Sequence, residues 1–166
     1  MPTVELVDYC DTWPAAFSSV ASQLATALAG HEAVIEHIGS TAVPGLCAKP
    51  VIDVLVGVVQ LADVAARAPQ LAELGYRYRP EYEVQIPDRR YFVRDATAVI
   101  PRVHVHAVLR GGALWRDHLA FRDALRTDPR LADEYARLKR MLATTRDKAA
   151  YTDAKGPFIR AVLTST

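Results

Sequence analysis

The chain has 166 residues, of which 51% are hydrophobic and 23% are charged, and its formal net charge is +1. These values predict a single domain over residues 1–166, and they argue against a nucleic-acid binder, which usually carries a strong basic excess. No apolar run reaches the roughly 18 residues of a membrane span, and the N-terminus lacks the basic and apolar regions of a signal peptide. The two cysteines match no zinc or disulfide pattern, so we expect a cytoplasmic protein with reduced thiols and no membrane partner.

Apolar alternation and helical periodicity divide the chain into a mixed N-terminal part and a helical C-terminal part. The sequence predicts strands over 3–9, 34–38, 51–59, 76–82, 90–94 and 103–109. It predicts helices over 13–30, 61–74, 114–125, 129–142 and 148–163. Pro69 and Pro157 are expected to interrupt the second and the last of these helices. This order predicts an α+β fold in which a mixed sheet is covered by a C-terminal helical layer.

A Gly-Ser turn at Gly39, Ser40 and Thr41 precedes the apolar strand that carries Asp53. Such a turn offers backbone N–H groups and a hydroxyl to a phosphate. An isolated acid in an apolar strand is costly to bury unless it is paired, so Asp53 either caps the loop or binds a ligand. The combination suggests phosphate or nucleotide chemistry, with Asp53 able to hold the Mg²⁺ that accompanies such phosphates.

His104 and His106 are separated by one residue in a predicted strand, so both rings project from the same face. Together with Asp53 they are compatible with a metal site, with an acid–base pair, or with hydrogen-bonded histidines that line a cleft. Imidazole ligands favour a metal such as Zn²⁺ over Mg²⁺. The sequence leaves these alternatives open.

The chain resembles the GrpB family, whose small proteins are placed in the nucleotidyltransferase superfamily. The longest matching segment runs from residue 37 to residue 53, and shorter matches include Trp13-Pro14, Arg90-Tyr91-Phe92, His104-Val105-His106, 121–123, 135–139 and 151–158. The resemblance implies a nucleotidyltransferase-like fold. In that superfamily a Gly-Ser turn binds the triphosphate and three acids hold two metal ions. This chain departs from the pattern, because Val51 and Leu55 occupy the positions that alternate with Asp53 and histidines replace the third acid.

We therefore predict an enzyme of transferase type that acts on a nucleotide or another phosphorylated or anionic small substrate, without a nucleic-acid partner. The alternatives are an enzyme of another class on the same scaffold and a non-catalytic ligand-binding module. A divalent metal, magnesium or zinc, is the expected cofactor if there is one. The predicted catalytic residues, which are also the predicted metal ligands, are Asp53, His104 and His106. The predicted substrate-binding residues are Gly39, Ser40, Thr41, Lys49, Arg90, Lys139 and Lys155.

Overall fold

The structure, a computed structural model, describes residues 4–145 and 147–166 and contains a five-stranded sheet. The strands are β1 Val34–Ile38, β2 Val51–Val58, β3 Arg77–Tyr78, β4 Arg89–Arg94 and β5 Arg102–Leu109. The helices are α1 Trp13–Ala27, α2 Leu61–Ala66, α3 Ala68–Glu73, α4 Ala113–Thr127, α5 Pro129–Thr145, α6 Lys148–Ala154 and α7 Gly156–Thr164. Short 3₁₀ helices at Ser40–Ala42 and Pro80–Val84 lie between β1 and β2 and between β3 and β4.

The strand order is β1-β2-β5-β4-β3, and the sheet is mixed because β2 and β5 run parallel while the other pairs are antiparallel. The parallel register places Asp53 directly opposite His104. The predicted grouping of 34–38, 51–59 and 103–109 in one sheet is confirmed, and so is the α+β class.

Helices cover both faces of the sheet. This coverage explains why the sequence of β2 is almost continuously apolar. Ile52 and Val54 belong to the main core, into which α1 and the helices after β2 also pack. Leu55 faces the other way and packs against residues of α4. Gly57 lies on that second face, where a Cβ atom would stand 2.6 Å from the ring of Trp115. Side chains alternate along a strand, so Asp53 points to the side of the C-terminal helices.

One predicted strand is wrong, a second is much shorter than predicted, and the two predicted interruptions are confirmed. Residues 3–9 contribute one isolated bridge, between Val7 and Ala48, within the described part of that segment. The strand predicted over 76–82 is reduced to β3, because a 3₁₀ helix begins at Pro80. The helix predicted over 61–74 divides into α2 and α3, and the one over 148–163 divides into α6 and α7. In both cases the proline lies in the first turn of the second helix, where its missing N–H costs nothing.

No helix in the described parts of the chain combines the length and the apolar character needed to cross a membrane.

Candidate functional site

The sheet and the C-terminal helices enclose a cleft of about 540 Å³. One wall consists of the loop at residues 39–41 and of side chains from β2, β4 and β5, and the other consists of side chains from α4 to α7. Ser40, Asp53, His104 and His106 all line this cleft, and Lys49 lies at it as well. The structure therefore brings together the loop, the lone acid and the histidine pair that the sequence singled out.

The cleft is strongly cationic although the whole chain is nearly neutral. The chain contains four lysines, and all four line the cleft: Lys49, Lys139, Lys148 and Lys155. Three arginines line it too: Arg79, Arg89 and Arg102. Among the described residues that form the lining, Asp53 is the single carboxylate. Lysine and arginine side chains thus outnumber carboxylates by seven to one in the described lining of this concave site.

Asp53 is held by two histidines whose remaining nitrogens face arginines. Nε2 of His106 lies 3.1 Å from Oδ1 of Asp53, and Nδ1 of His104 lies 3.7 Å from the same oxygen. Arg89 Nη1 lies 3.5 Å from Nδ1 of His106, and Arg102 Nε lies 3.2 Å from Nε2 of His104. A guanidinium group can only donate, so each arginine faces the lone pair of its histidine. The other ring nitrogen of each histidine consequently carries the N–H that is directed at Asp53.

The pKa values in this cluster follow from the same contacts. Burial lowers the pKa of His104 to about 4, and the neighbouring His106 and Arg102 act in the same direction against the opposing effect of Asp53. Burial alone would raise the pKa of Asp53. The hydrogen bond from His106 and the nearby cationic groups outweigh that effect and hold it below its usual range. Asp53 is therefore a carboxylate at neutral pH, with 28% of its side chain exposed.

Gly39 allows the loop to pass directly over the Asp53 carboxylate. Its φ is +73°, and a Cβ atom at this position would lie 2.6 Å from Oδ2 of Asp53. Both the backbone conformation and the close approach require glycine. The Gly-Ser turn and the acid that the sequence linked by their spacing are thus in direct contact.

Ser40 is hydrogen-bonded to an almost fully buried lysine. Nζ of Lys139 donates to Ser40 Oγ at 2.8 Å and also to the carbonyl of Cys47, and it lies 4.9 Å from the centre of the Tyr135 ring. Only 1% of Lys139 is exposed, and burial lowers its pKa to about 7, with the neighbouring Lys155 contributing in the same direction. No carboxylate in the described part of the chain pairs with it.

Lys49 and Lys155 approach the same aromatic ring. Their Nζ atoms lie 5.1 and 4.5 Å from the centre of the Tyr151 ring. Burial lowers the pKa of Lys155 to about 8, and the neighbouring Lys49 adds to that effect; burial also lowers the pKa of Lys49. Tyr151 positions both ammonium groups through cation–π contacts without neutralising them.

The hydroxyl of Thr41 is used inside the protein rather than toward the cleft. It donates to the carbonyl of Val51 at 3.1 Å, and Nε2 of His37 lies 3.0 Å from it. The single hydroxyl proton of Thr41 is given to Val51, so His37 is the donor in the second contact. His37 is buried and stacks on Phe17, which fixes its ring. Thr41 and His37 therefore fix the shape of the loop.

A family model described as GrpB protein matches residues 3–165. The chain belongs to the GrpB family. A UPF0157 protein of Halalkalibacterium halodurans is 34% identical over 97% of this chain and 81% of that protein. The crystal structure of the conserved protein GrpB from Enterococcus faecalis superposes with a TM-score of 0.85 at 32% identity, covering 97% of this chain and 96% of that one.

Two further likenesses extend beyond these GrpB relatives. A dephospho-CoA kinase of Mycolicibacterium paratuberculosis is 32% identical over 95% of this chain, which covers 44% of that protein. A cytoplasmic RNA terminal U-transferase aligns with a TM-score of 0.47 at 12% identity, which is too weak a likeness to support an inference about this chain.

The cleft of this GrpB protein does not fit the two-metal site that the nucleotidyltransferase resemblance implies. Such a site needs several carboxylates on adjacent strands, whereas the described ion-pair contacts of Asp53 are with His104 and His106. The lone pair of each histidine faces an arginine and its N–H faces Asp53, so neither ring is oriented to bind a metal beside that carboxylate. Among the residues that the structure describes, no three His, Cys, Asp or Glu side chains form a group that could hold a metal ion.

Arg90 is the predicted site residue that the structure places elsewhere. It contacts the carbonyl of Pro87 and the carboxylate of Glu83 and does not line the cleft, so its predicted placement there is wrong. Its neighbour Arg89 occupies the cleft instead, because adjacent strand residues face opposite sides. Sequence reasoning also missed His118, which α4 places 5.8 Å from the His106 ring. No spacing signal in the sequence connects that helix position to β5.

Proposed function

We propose that this GrpB-family chain binds a phosphorylated small molecule in the cationic cleft, with nucleotides and nucleotide-like cofactors as the favoured class. We further propose that it acts on this molecule as an enzyme of transferase type. The observation that carries the proposal is the presence of all four lysines, and of a single carboxylate, in the described lining of one cleft.

The lysines support an anionic ligand because Lys139 is almost fully buried, Lys49 and Lys155 are half-buried, and none of the three forms a described ion pair with a carboxylate. A desolvated ammonium group is costly unless an opposite charge or hydrogen bonds compensate it. Lys139 and Lys155 reflect this cost in pKa values of about 7 and about 8. A polyphosphate would supply several negative charges at once, and its binding would favour the protonated state of Lys155. The enclosed shape of the site favours a small anion over a nucleic acid.

Aromatic side chains at the other end of the cleft support a ligand with a planar ring. Tyr82 and Tyr91 meet edge to face with 5.5 Å between ring centres, and the guanidinium of Arg89 lies 4.7 Å from the centre of the Tyr91 ring. Such surfaces are suited to stack a nucleobase. The dephospho-CoA kinase among the relatives acts, by its name, on a phosphorylated cofactor, which is a reason to include dephospho-CoA among the test ligands.

The test is a calorimetric titration with pyrophosphate, ATP and dephospho-CoA, each with and without Mg²⁺, at constant ionic strength. We expect the polyphosphates to bind, with little dependence on Mg²⁺ because Asp53 is the only acid in the described lining. Product analysis by mass spectrometry after incubation then distinguishes an enzyme from a binding module. Absence of binding by all three ligands would contradict the proposal.

Two arginines on β4 provide a matched pair of variants. Arg89→Gln removes a charge from the cleft, whereas Arg90→Gln removes the same charge from the adjacent residue, which contacts Glu83 outside the cleft. We expect Arg89→Gln to weaken polyphosphate binding about tenfold, consistent with about 1.5 kcal/mol for a charge-assisted hydrogen bond. Arg90→Gln should bind like the unmodified protein. Equal effects of the two variants would show that overall charge, and not the cleft, determines binding.

A further inference from the structure

We propose that Ser40 is a nucleophile activated by Lys139, and that it accepts the phosphoryl group of the phosphorylated ligand in a covalent step. The nature of the transferred group rests on the proposed function. The reactivity of Ser40 does not, because it follows from the contacts of the two side chains.

The contacts of Lys139 suit a general base. Its Nζ lies 2.8 Å from Ser40 Oγ and also bonds to the carbonyl of Cys47, while the Tyr135 ring covers its remaining side. As an ammonium group Lys139 donates to both Ser40 Oγ and the carbonyl of Cys47. Once it has lost one proton, the freed lone pair is placed to accept the hydroxyl proton of Ser40, while an N–H still donates to the carbonyl. Since no carboxylate in the described residues stabilises the ammonium form, burial favours the neutral amine.

Ser40 and Lys139 differ in exposure as a nucleophile and its base should, because the nucleophile must reach the substrate and the base need only reach the nucleophile. Ser40 is partly exposed in the lining of the cleft, whereas Lys139 is almost fully enclosed and contacts Ser40 directly. A lysine that served only to attract phosphate would not need its nitrogen against a serine hydroxyl. Lys49 and Lys155, which approach the ring of Tyr151, are the better candidates for neutralising phosphate oxygens.

The proposed step balances without a metal or an oxidant. Lys139 takes the proton from Ser40 Oγ as that oxygen forms a bond to phosphorus. The bond between phosphorus and the leaving oxygen breaks, its electron pair stays on that oxygen, and the proton on Lys139 passes to it. A water molecule, or an acceptor hydroxyl of the second substrate, then attacks the phosphorus and gives its proton to Lys139. The bond between phosphorus and Ser40 Oγ breaks, its electron pair stays on Oγ, and the proton on Lys139 passes to Oγ to restore Ser40.

The experiment uses an alkyl fluorophosphonate, which reports a reactive serine whatever the natural substrate. Its phosphorus forms a bond to Ser40 Oγ while the bond to fluorine breaks and fluoride leaves. We expect a single adduct by intact mass, mapped to Ser40 by peptide analysis, and none on Ser40→Ala. The matched control is Ser18→Ala on α1, a serine that lies outside the cleft, and it should label like the unmodified protein.

The role of Lys139 is tested by the rate of the same labelling reaction. Lys139→Met should label at least a hundredfold more slowly, and butylamine should restore part of the rate to Lys139→Ala by entering the space of the missing side chain. Circular dichroism confirms that the variants are folded. Labelling of Lys139→Met at the original rate, or an adduct on another residue with Ser40 unmodified, would overturn the proposal.

Protection by pyrophosphate separates this inference from the proposed function. Pyrophosphate that binds and slows labelling supports both. Binding of pyrophosphate to a protein whose Ser40 does not react overturns the nucleophile and leaves the anion site standing. Reaction at Ser40 without any binding of pyrophosphate, ATP or dephospho-CoA overturns the proposed function and the proposal that a phosphoryl group is transferred. Only the claim that Ser40 and Lys139 form a reactive pair would then stand.

Discussion

Replacing Lys139 by methionine should stabilise the ligand-free protein at neutral pH. Lys139 is 99% buried, and burial lowers its pKa from 10.5 to about 7. At about 1.4 kcal/mol per tenfold change in proton affinity, the charged form costs the folded protein roughly 5 kcal/mol. Methionine has a similar length and no charge, so Lys139→Met removes this cost. It also removes the hydrogen bonds to Ser40 and Cys47, which together contribute about 2 kcal/mol.

The sign of the pH dependence follows from where the proton resides. Between pH 7 and pH 10.5 the unfolded chain keeps the proton on Lys139 while the folded chain has lost it. The unfolded state binds more protons, so the free energy of unfolding of the unmodified protein rises with pH across this window. Lys139→Met lacks this contribution. We expect it to be more stable by about 2 kcal/mol at pH 7, and expect the advantage to disappear at about pH 9 and to reverse by about 1 kcal/mol at pH 10.

Urea denaturation of both proteins at several pH values between 7 and 10 measures the effect, because groups common to both cancel in the difference. Lys148→Met, at an exposed lysine of the same chain, is the matched control and should show no comparable change. A stability difference between Lys139→Met and the unmodified protein that stays constant over this pH range would refute the reasoning. It would mean that Lys139 remains protonated and is compensated in some other way.

Three further predictions concern the loop, the acid and the binding of protons. Gly39→Ala should destabilise the fold by about 2–3 kcal/mol, because residue 39 has a positive φ and an added Cβ atom would meet Asp53. Gly30 has a similar φ but open space around it, so Gly30→Ala should destabilise the fold by only about 1 kcal/mol. Thermal or urea melts measure both values. Asp53→Asn should abolish turnover and leave the far-ultraviolet circular dichroism unchanged. Pyrophosphate binding should persist or tighten, because the cleft loses a negative charge. Unchanged turnover would show that Asp53 has only a structural role. At pH 8, pyrophosphate binding should take up protons, since the anion raises the pKa of Lys155 from about 8. Titrations in buffers of different ionisation enthalpy measure the number, and release of protons would contradict the expectation.

Local spacing in the sequence predicted which residues line the cleft. The predictions failed where the pairing of distant strands determines which way a side chain faces. The i, i+2 spacing of His104 and His106 correctly gave them one face. That this face is shared with Asp53 depends on the parallel register of β2 and β5, which no local pattern encodes. The prediction of Arg90 at the cleft failed for a related reason, because the pairing of β4 with β5 makes Arg89 the residue that faces it. A strand pattern carries no information about which of its two faces will meet the helices.

The C-terminal residues of the site show a different limit. Lys139 and Lys155 were selected only because they match the family resemblance, since a lysine on an amphipathic helix is ordinarily solvated. Their importance comes from burial, and α5 buries Lys139 because it packs against the loop that carries Ser40. Helical periodicity cannot reveal this, because Lys139 lies in the turn after buried Tyr135 and is itself a polar residue on the buried face.

The cationic lining provides a reason why the cleft lacks the acids of a two-metal site. In such a site carboxylates bind metal ions, and the metals neutralise the phosphate oxygens. Here lysines and arginines line the cleft directly, and Asp53, the one carboxylate in the part of the lining that the structure describes, faces two imidazole N–H groups. Protein cations can therefore do the neutralising without a metal. Binding that depends on such charges weakens as salt screens them. Affinity for pyrophosphate should therefore fall steadily between about 0.05 and 0.5 M salt, roughly the range over which the Debye length shrinks from more than 10 Å to below 5 Å. Affinity that depended on Mg²⁺ and not on salt would restore the metal-based alternative.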